Sequence, residues 1–150
     1  MAVAIKNLTR QHLKVVAGAV FSAVAEEVLP GWDVSLVFVG ATRAKALNKK
    51  LRGKTYVPNV LSYVVGEKSA EIIICPSEAA KQAPSFNLTP YTFTLYLFIH
   101  GALHIKGWAH GARMETCERN LLARYEATHS YRHRHRHVPS KDGRRRGALR

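Results

Sequence analysis

The stretch TPYTFTLYLFIHGALHIKGWAH, residues 89–110, decides the fold of this chain. Thr89 and Pro90 predict a helix start, because proline fits the first turn of a helix, where its missing N–H is not needed. From there to Lys106 the sequence is apolar almost all round, which predicts a central, buried helix. Gly107 can adopt the left-handed backbone conformation that ends a helix. The chain is therefore expected to turn back directly after its most apolar helix.

Three histidines in this stretch predict a metal site. His100 and His104 are four residues apart, so on a helix their Cβ atoms lie on one face, roughly 5–6 Å apart. His110 follows the turn at Gly107 and can reach the same point from another direction. A buried imidazole needs a partner, which a cation supplies. Three imidazoles with no fourth protein ligand predict one catalytic zinc ion, or another divalent ion, with an open position for water. The alternative is a run of core or surface histidines.

The spacing of the histidines also matches the long zinc signature of the metzincin metalloproteases, His-Glu-x-x-His-x-x-Gly-x-x-His. Gly101 stands where that signature has the glutamate that takes a proton from the zinc-bound water. Peptide hydrolysis therefore lacks its general base, and we do not expect a protease. Met114 follows the third histidine, as a methionine does in metzincins, but a lone methionine there is more often part of the core.

The remaining sequence predicts an α+β domain with a mixed four-stranded sheet packed with about five helices. The predicted strands are 3–6, 32–39, 60–65 and 71–75, of which the last two form an antiparallel hairpin. The predicted helices are 9–28, 41–51, 76–82, 90–106 and 114–125. Asn7 or Thr9 is expected to cap the first helix. The metal site lies on the buried central helix and the turn after it.

Length and composition predict one globular domain followed by a basic tail. The chain has 150 residues, enough to bury a core without disulfides, and we assign residues 1–126 to a metal-dependent hydrolase domain. Residues 127–150 lack apolar periodicity, so we expect a disordered tail there. Cys75 and Cys117 do not make a disulfide framework, which favours a cytoplasmic protein.

The apolar run 15–25 also bears on location. It superficially resembles a signal peptide, because basic residues precede it. Its apolar residues nevertheless follow helical spacing, which favours a buried helix. No stretch is long and apolar enough to span a membrane, so we expect no membrane partner.

The formal net charge of +13 comes from two basic regions. One is the tail over 127–150. The other lies on and just after the predicted helix 41–51, with no acidic residue between its members: Arg43, Lys45, Lys49, Lys50, Arg52 and Lys54. Two basic regions around a hydrolytic metal site predict a polyanionic substrate, above all a nucleic acid. The alternative is a solvated lysine face with a solubilising tail.

The histidine motif resembles that of the YbeY family, the metal-dependent endoribonucleases of ribosomal RNA maturation, which is usually written H-G-x-L-H-L-x-G-Y-D-H. Residues 100–110 read HGALHIKGWAH. Residues 47–63 are similar to the family's L-N-x-x-[FY]-R-x-K-D-x-P-T-[DN]-V-L-S-F, and residues 70–75 resemble its strand G-D-I-x-I-C. The resemblance spans roughly residues 3–126.

Three departures from the family pattern matter most for the chemistry of the site. Thr55 replaces an aspartate, Pro58 replaces a threonine, and Ala109 removes the acid beside the third histidine. An acid close to a ligating histidine often accepts a hydrogen bond that orients the ring. Without it, either the metal is held less firmly or another carboxylate takes that place.

The resemblance implies a metal-dependent endoribonuclease that acts on single-stranded RNA in ribosomal RNA maturation and ribosome quality control. It implies RNA as the partner, as ribosomal RNA or within the small ribosomal subunit, and ribosomal or GTPase proteins as further partners. His100, His104 and His110 are then expected to hold one zinc ion. Either a hydroxide or the ribose 2′-hydroxyl is the nucleophile.

The upstream block carries the other expected site residues. Arg52, matched to the family's arginine, is expected to neutralise charge on the phosphoryl oxygens. The residues expected to bind RNA are Lys45, Lys49, Lys50, Lys54, Asn59 and Ser62. Two other functions stay open: a hydrolase that acts on a small phosphoester, and a non-enzymatic ribosome-assembly factor with a structural metal.

Overall fold

A computed structural model of the chain describes the backbone of residues 3–135 and the side chains of residues 3–126. Its strands are β1 (Ala4–Asn7), β2 (Asp33–Phe38), β3 (Val60–Gly66) and β4 (Ser69–Ile74). Its helices are α1 (Gly18–Val28), α2 (Ala41–Arg52), α3 (Pro76–Gln82), α4 (Pro90–Lys106) and α5 (Ala112–His135), with a short 3₁₀ turn at Ala83–Phe86. Within residues 3–135, the predicted α+β class with a four-stranded sheet and five helices is confirmed.

The sheet has the order β1-β2-β4-β3. The β1–β2 and β2–β4 pairs are parallel, and the β3–β4 pair is antiparallel, so the sheet is mixed and the predicted hairpin is confirmed. β3 is an edge strand, and α4 packs against β3 and β4. The central helix therefore lies next to an open edge of the sheet, where a substrate can approach.

Helix α4 begins and ends as its sequence predicts. The Thr89 hydroxyl oxygen accepts a hydrogen bond from the Thr92 amide at 3.2 Å, which satisfies one of the free N–H groups of the first turn. Gly107 ends the helix with φ at 105°. Between these ends α4 buries large side chains against the sheet, α1 and α5, and the Phe21 and Phe98 rings meet edge to face with centroids 5.0 Å apart. His100 and His104 thus stand on a helix that is packed against the sheet and against two other helices.

Helix α2 covers the other face of the sheet. Successive residues of a strand point to opposite faces: Ile72 belongs to the core under α4, whereas Ile73 packs with Ala44 of α2 in a second, smaller cluster. From that face the chain passes through the loop 53–59 into β3. The loop therefore brings the end of α2 to the edge of the sheet that α4 occupies.

The first helix starts later than predicted, at Gly18 rather than at Thr9. The Asn7 Oδ1 atom accepts hydrogen bonds from the amide and the hydroxyl of Thr9, and Asn7 Nδ2 donates to the Gln11 carbonyl oxygen. Such local side-chain bonds give the backbone an alternative to the helix. The predicted cap by Asn7 or Thr9 is therefore wrong, and no side chain caps α1.

Helix α5 runs past its predicted end at Tyr125 to His135, so the backbone of residues 127–135 is helical where we expected an irregular chain. Residues 136–150 and the side chains from 127 onward lie outside the described part, and the division of the chain at 126 stays a prediction. Among residues 3–135, no helix is long and apolar enough to cross a membrane. Cys75 and Cys117 are both free thiols, as expected.

Candidate metal centre

The three histidines come together at one point, as their spacing predicts. Each offers a ligand atom, and these atoms lie within 4.8 Å of one another. His100 and His104 share one face of α4, with ring centroids 4.5 Å apart. The backbone turns at Gly107 and Gly111, where φ is 105° and 156°, and this brings the His110 ring to within 4.4 Å of the His104 ring. His110 is exposed and the other two are half-buried.

His100 and His104 each form a hydrogen bond through Nδ1, and this leaves their two Nε2 atoms free and close together. His100 Nδ1 lies 2.8 Å from Glu118 Oε1, and His104 Nδ1 lies 3.1 Å from the carbonyl oxygen of Trp108. A carboxylate and a carbonyl accept protons, so both Nδ1 atoms are donors and, in the neutral rings, both Nε2 atoms carry lone pairs. These Nε2 atoms are only 3.1 Å apart.

Two lone pairs at that distance repel each other unless a positive charge lies beside both. Two nitrogen ligands of a tetrahedral zinc ion, each bound at about 2.0–2.1 Å, lie about 3.3 Å apart. The separation in this chain is close to that value. The donor set therefore fits a zinc-sized divalent ion held by His100, His104 and His110.

The electrostatics of His104 favour its metal-binding form. Burial lowers the pKa of His104, the neighbouring His100 and His110 lower it further, and the hydrogen bond to Trp108 and the charge of Glu118 offset this only in part. The ring is therefore neutral near pH 7. Neutral imidazole is the form that binds a metal.

Arg52 lines the same cavity as the histidines. The cavity has a volume of about 340 Å³, and its wall is formed by Arg52, Val60, Leu61, Ser62, His100, His104 and His110. It lies between the end of α2, the edge strand β3 and the end of α4. We call it the histidine pocket. The positively charged Arg52 and the three histidines, which could hold a metal cation, line the same pocket. Such a pocket suits an anionic substrate.

The histidine motif belongs to a known family. The profile described as Endoribonuclease YbeY matches residues 3–128. The chain belongs to the YbeY endoribonuclease family. Among proteins named Endoribonuclease YbeY, that of Thiobacillus denitrificans is 31% identical over 109 residues, which cover 66% of this chain and 74% of the relative. The resemblance seen in the motif is therefore confirmed.

Other YbeY relatives match a shorter part of the chain. The protein of Neisseria meningitidis serogroup B is 35% identical over 89 residues, 52% of this chain and 53% of its own length. That of Burkholderia pseudomallei is 34% identical over 106 residues and is covered over 58% of its length. The chain thus spans little more than half of these relatives.

The fold itself also has a solved counterpart. The solution structure of TM1509 from Thermotoga maritima superposes with a TM-score of 0.61, covering 93% of this chain and 99% of that one at 21% identity. At this identity the match shows a shared fold.

Glu118 is a buried carboxylate that contacts the histidine cluster at His100. It projects from α5 and is only 2% exposed. Burial raises the pKa of its carboxyl, but hydrogen bonds from His100 and Tyr96, together with the electrostatic effect of His100 and His104, outweigh burial and leave the pKa below its ordinary value. The charged carboxylate therefore fixes the His100 ring from behind. A carboxylate thus supports the His100 ring, whereas Ala109 stands at the position beside His110 where the family has its acid.

Sequence reasoning missed Glu118, although a signal was present. Helix α5 buries Met114, Leu121 and Leu122, and position 118 falls on the same helical face, because residues three and four apart are neighbours. A glutamate on an otherwise apolar inward face needs a buried partner. Its spacing alone does not identify that partner as a histidine on another helix.

Replacing Glu118 with glutamine is expected to lower the affinity for zinc about 10- to 100-fold, because a neutral amide holds the His100 ring less firmly than a carboxylate does. Competition with a chromophoric zinc chelator measures this affinity. The matched control is Glu115→Gln, which removes the same charge from an exposed position of α5 and is expected to change the affinity by no more than about twofold. Equal affinities for the two variants would contradict the role of Glu118.

Gly101 occupies the metzincin base position, and it faces the sheet. A Cβ atom added there would lie 3.2 Å from Ile72 Cγ2 and 3.4 Å from the Ser62 Cβ. The missing side chain lets α4 approach β3 and β4 closely. A larger side chain at this position would therefore press against Ile72 and Ser62 of the sheet.

The predicted RNA-binding residues do not all lie at the histidine pocket. Ser62 lines it, but the Asn59 amide donates a hydrogen bond to Gln82 Oε1 at 2.7 Å and is not part of the wall. Lys45 and Lys49 share one face of α2 with Arg52, being spaced by four and seven residues. No acidic side chain among residues 3–126 pairs with either lysine.

Two further predicted lysines lie elsewhere. Lys50 lines a separate groove of about 390 Å³, together with Arg43 and the apolar Val37 and Ile73. Lys54 is exposed in the loop after α2. Helical spacing therefore puts Lys45 and Lys49 on the same face of α2 as Arg52, whereas Lys50 lies on another side of the helix.

Proposed function

We propose that this protein is a zinc-dependent endoribonuclease that cleaves single-stranded RNA during ribosomal RNA maturation. One observation carries the proposal: three imidazoles whose free nitrogens converge, facing a pocket that an arginine also lines. Membership of the YbeY endoribonuclease family supports the reaction class. Maturation and quality control of ribosomal RNA follow from the family resemblance.

The proposed roles follow from the positions of the side chains. His100, His104 and His110 hold one zinc ion, with the His100 ring fixed by Glu118. Bound there, the ion would polarise the phosphate and lower the pKa of a coordinated water toward about 7. The Arg52 guanidinium, with donors in a planar fork, pairs with the phosphoryl oxygens as they gain charge. The Ser62 hydroxyl lies at the wall and can donate a hydrogen bond to the same group.

No carboxylate among residues 3–126 lines the histidine pocket. Glu118 lies behind His100 and is already engaged by two hydrogen bonds, so it does not face the substrate. A proton leaving the nucleophile therefore has no side-chain carboxylate to accept it. The nucleophile, either water or a ribose 2′-hydroxyl, would therefore have to be made more acidic by the metal ion that the three histidines would hold.

The substrate preference follows from the shape and charge around the pocket. Lys45, Lys49 and Arg52 form a row on α2 that leads to the pocket and can follow a phosphate backbone without reading bases. Binding through such contacts weakens as salt is added. Single strands can splay their bases away from the backbone, which a duplex cannot do without unpairing. Single-stranded RNA thus fits the pocket better than duplex RNA.

The cellular setting is proposed on the family alone. We place the protein in the cytoplasm, with ribosomal RNA or the small ribosomal subunit as its target. Ribosomal proteins or a GTPase are its proposed protein partners.

The test combines metal analysis with RNA cleavage. The purified protein is expected to contain one zinc ion per chain, to cleave single-stranded RNA in preference to duplex RNA, and to lose and regain activity as zinc is removed by a chelator and restored. Cleavage of a small phosphoester with none of RNA would favour the small-substrate alternative. A zinc protein that binds RNA without cleaving it, and unfolds when the zinc is removed, would favour the assembly factor.

A further inference from the structure

Tyr56 is an exposed aromatic residue beside the histidine pocket. It lies in the loop between α2 and β3, with 54% of its surface exposed. Its hydroxyl oxygen accepts a hydrogen bond from Arg52 Nη1 at 3.0 Å, and Arg52 lines the pocket. The Tyr56 hydroxyl therefore contacts the guanidinium of Arg52, which lines the pocket. The exposed part of the Tyr56 side chain lies beside that guanidinium.

The backbone of Tyr56 is anchored to α2. Asn48, which is fully buried, donates a hydrogen bond from Nδ2 to the Tyr56 carbonyl oxygen at 3.0 Å. Gly53 turns the chain at the end of the helix with φ at 67°, and the Lys54 amide donates to the Asn48 carbonyl oxygen. A buried side chain thus fixes the position from which the exposed ring projects. The exposure of Tyr56 is built into the loop.

The surroundings of the ring are those of a single-strand binding site. Lys49, Arg52 and Lys54 lie within the same turn and loop, and none of them pairs with an acidic side chain among residues 3–126. Cations that follow a backbone, combined with an exposed ring, are what proteins use to hold unpaired nucleotides. A ring stacks on any base, so it adds affinity without sequence preference.

We propose that Tyr56 has two roles in RNA cleavage: its hydroxyl positions the Arg52 guanidinium, and its ring stacks on the unpaired base next to the phosphate in the pocket. This inference rests on the proposed function, since it names the part of the substrate that the pocket holds. The hydroxyl removes one of the rotations open to an exposed arginine. The ring gives the strand a fixed register relative to the histidines.

Two variants separate these roles. Tyr56→Phe keeps the ring and removes the hydroxyl, and it is expected to lower kcat about tenfold with KM unchanged, as for the loss of one hydrogen bond to a charged group. In an Arg52→Ala background the same change is expected to have no further effect on kcat, because the group that it positions is gone. Tyr56→Trp, which also keeps an aromatic ring, is expected to behave like Tyr56→Phe.

Binding is measured with a fluorescently labelled oligouridylate in a His110→Ala background, where the RNA stays intact. Tyr56→Ala is expected to bind about tenfold more weakly than Tyr56→Phe, since stacking on a ring is lost. Both variants are expected to unfold at the same temperature, because the side chain is largely exposed.

Two results would overturn the inference. One is a Tyr56→Phe variant whose kcat equals that of the wild type or falls equally in both backgrounds. The other is equal RNA affinity of Tyr56→Ala and Tyr56→Phe. If the wild type cleaves no RNA at all, the proposed function fails, and the binding comparison still decides whether the ring stacks on a base.

Discussion

Replacing His110 with alanine is expected to remove zinc from the protein and to lower kcat/KM for single-stranded RNA about a thousandfold. Metal assistance contributes several kcal/mol to a hydrolytic transition state, and each 1.36 kcal/mol corresponds to a factor of ten in rate. His110 is the ligand to replace because it is exposed in the turn after α4, whereas His100 and His104 are half-buried. The core therefore stays intact in the variant.

The measurements are zinc content after dialysis, cleavage rate and thermal unfolding. His12→Ala is the matched control, since His12 is also exposed but lies outside the cluster of three, and it is expected to behave as the wild type. A His110→Ala protein that keeps its zinc and cleaves RNA at the normal rate would show that the ligand set is wrong. Loss of the folded state together with the zinc would instead indicate a structural metal.

Replacing Arg52 with alanine is expected to lower kcat about 100- to 1,000-fold with zinc content unchanged. Arg52 lines the pocket, and its guanidinium donates to the Tyr56 hydroxyl, so its loss is expected to remove a donor for the developing charge and not one of the three histidines. Removing a single donor of this kind commonly has an effect of that size. Arg52→Lys keeps the charge but loses the planar fork, and it is expected to recover only part of the rate.

Arg43→Ala provides the control on the same helix. Arg43 lines the separate groove with Lys50, away from the histidines, and its loss removes the same charge from the protein. We expect a small, salt-dependent change in KM and no change in kcat. If Arg43→Ala and Arg52→Ala lower kcat equally, Arg52 acts only through the general field of the basic surface.

The central helix and its histidines were predictable because both depend on local sequence. The cap at Thr89, the left-handed glycine at 107 and the spacing of His100 and His104 each act within a few residues. The late start of α1 was not predicted, although its cause is equally local. The apolar spacing of the run 15–25 suited a helix, but the bonds between Asn7 and Thr9 direct the preceding backbone into a turn.

Two features of the site depend on contacts between distant segments and could not be predicted from the sequence: the partner of Glu118 and the placement of the lysines of α2. Glu118 reaches His100 from another helix, and only the packing of α5 on α4 brings the two together. The separation of Lys50 from Lys49 follows from helical geometry, since adjacent residues do not share a face. Which of the two lysines lies away from the histidines is known only from the structure, because Lys50 lines the separate groove with Arg43.

The close contact at Gly101 constrains how this fold could change its chemistry during evolution. The histidine motif of this chain differs from the metzincin signature at one position, so Gly101→Glu would complete that signature. A Cβ atom at position 101 would lie 3.2 Å from Ile72 Cγ2, so any larger residue there requires its neighbours on the sheet to give by a few tenths of an ångström. His100 is the adjacent residue, so repacking at this contact would act on the helix turn that carries the histidine cluster. The single difference in the motif is therefore also a difference in how closely α4 packs on the sheet.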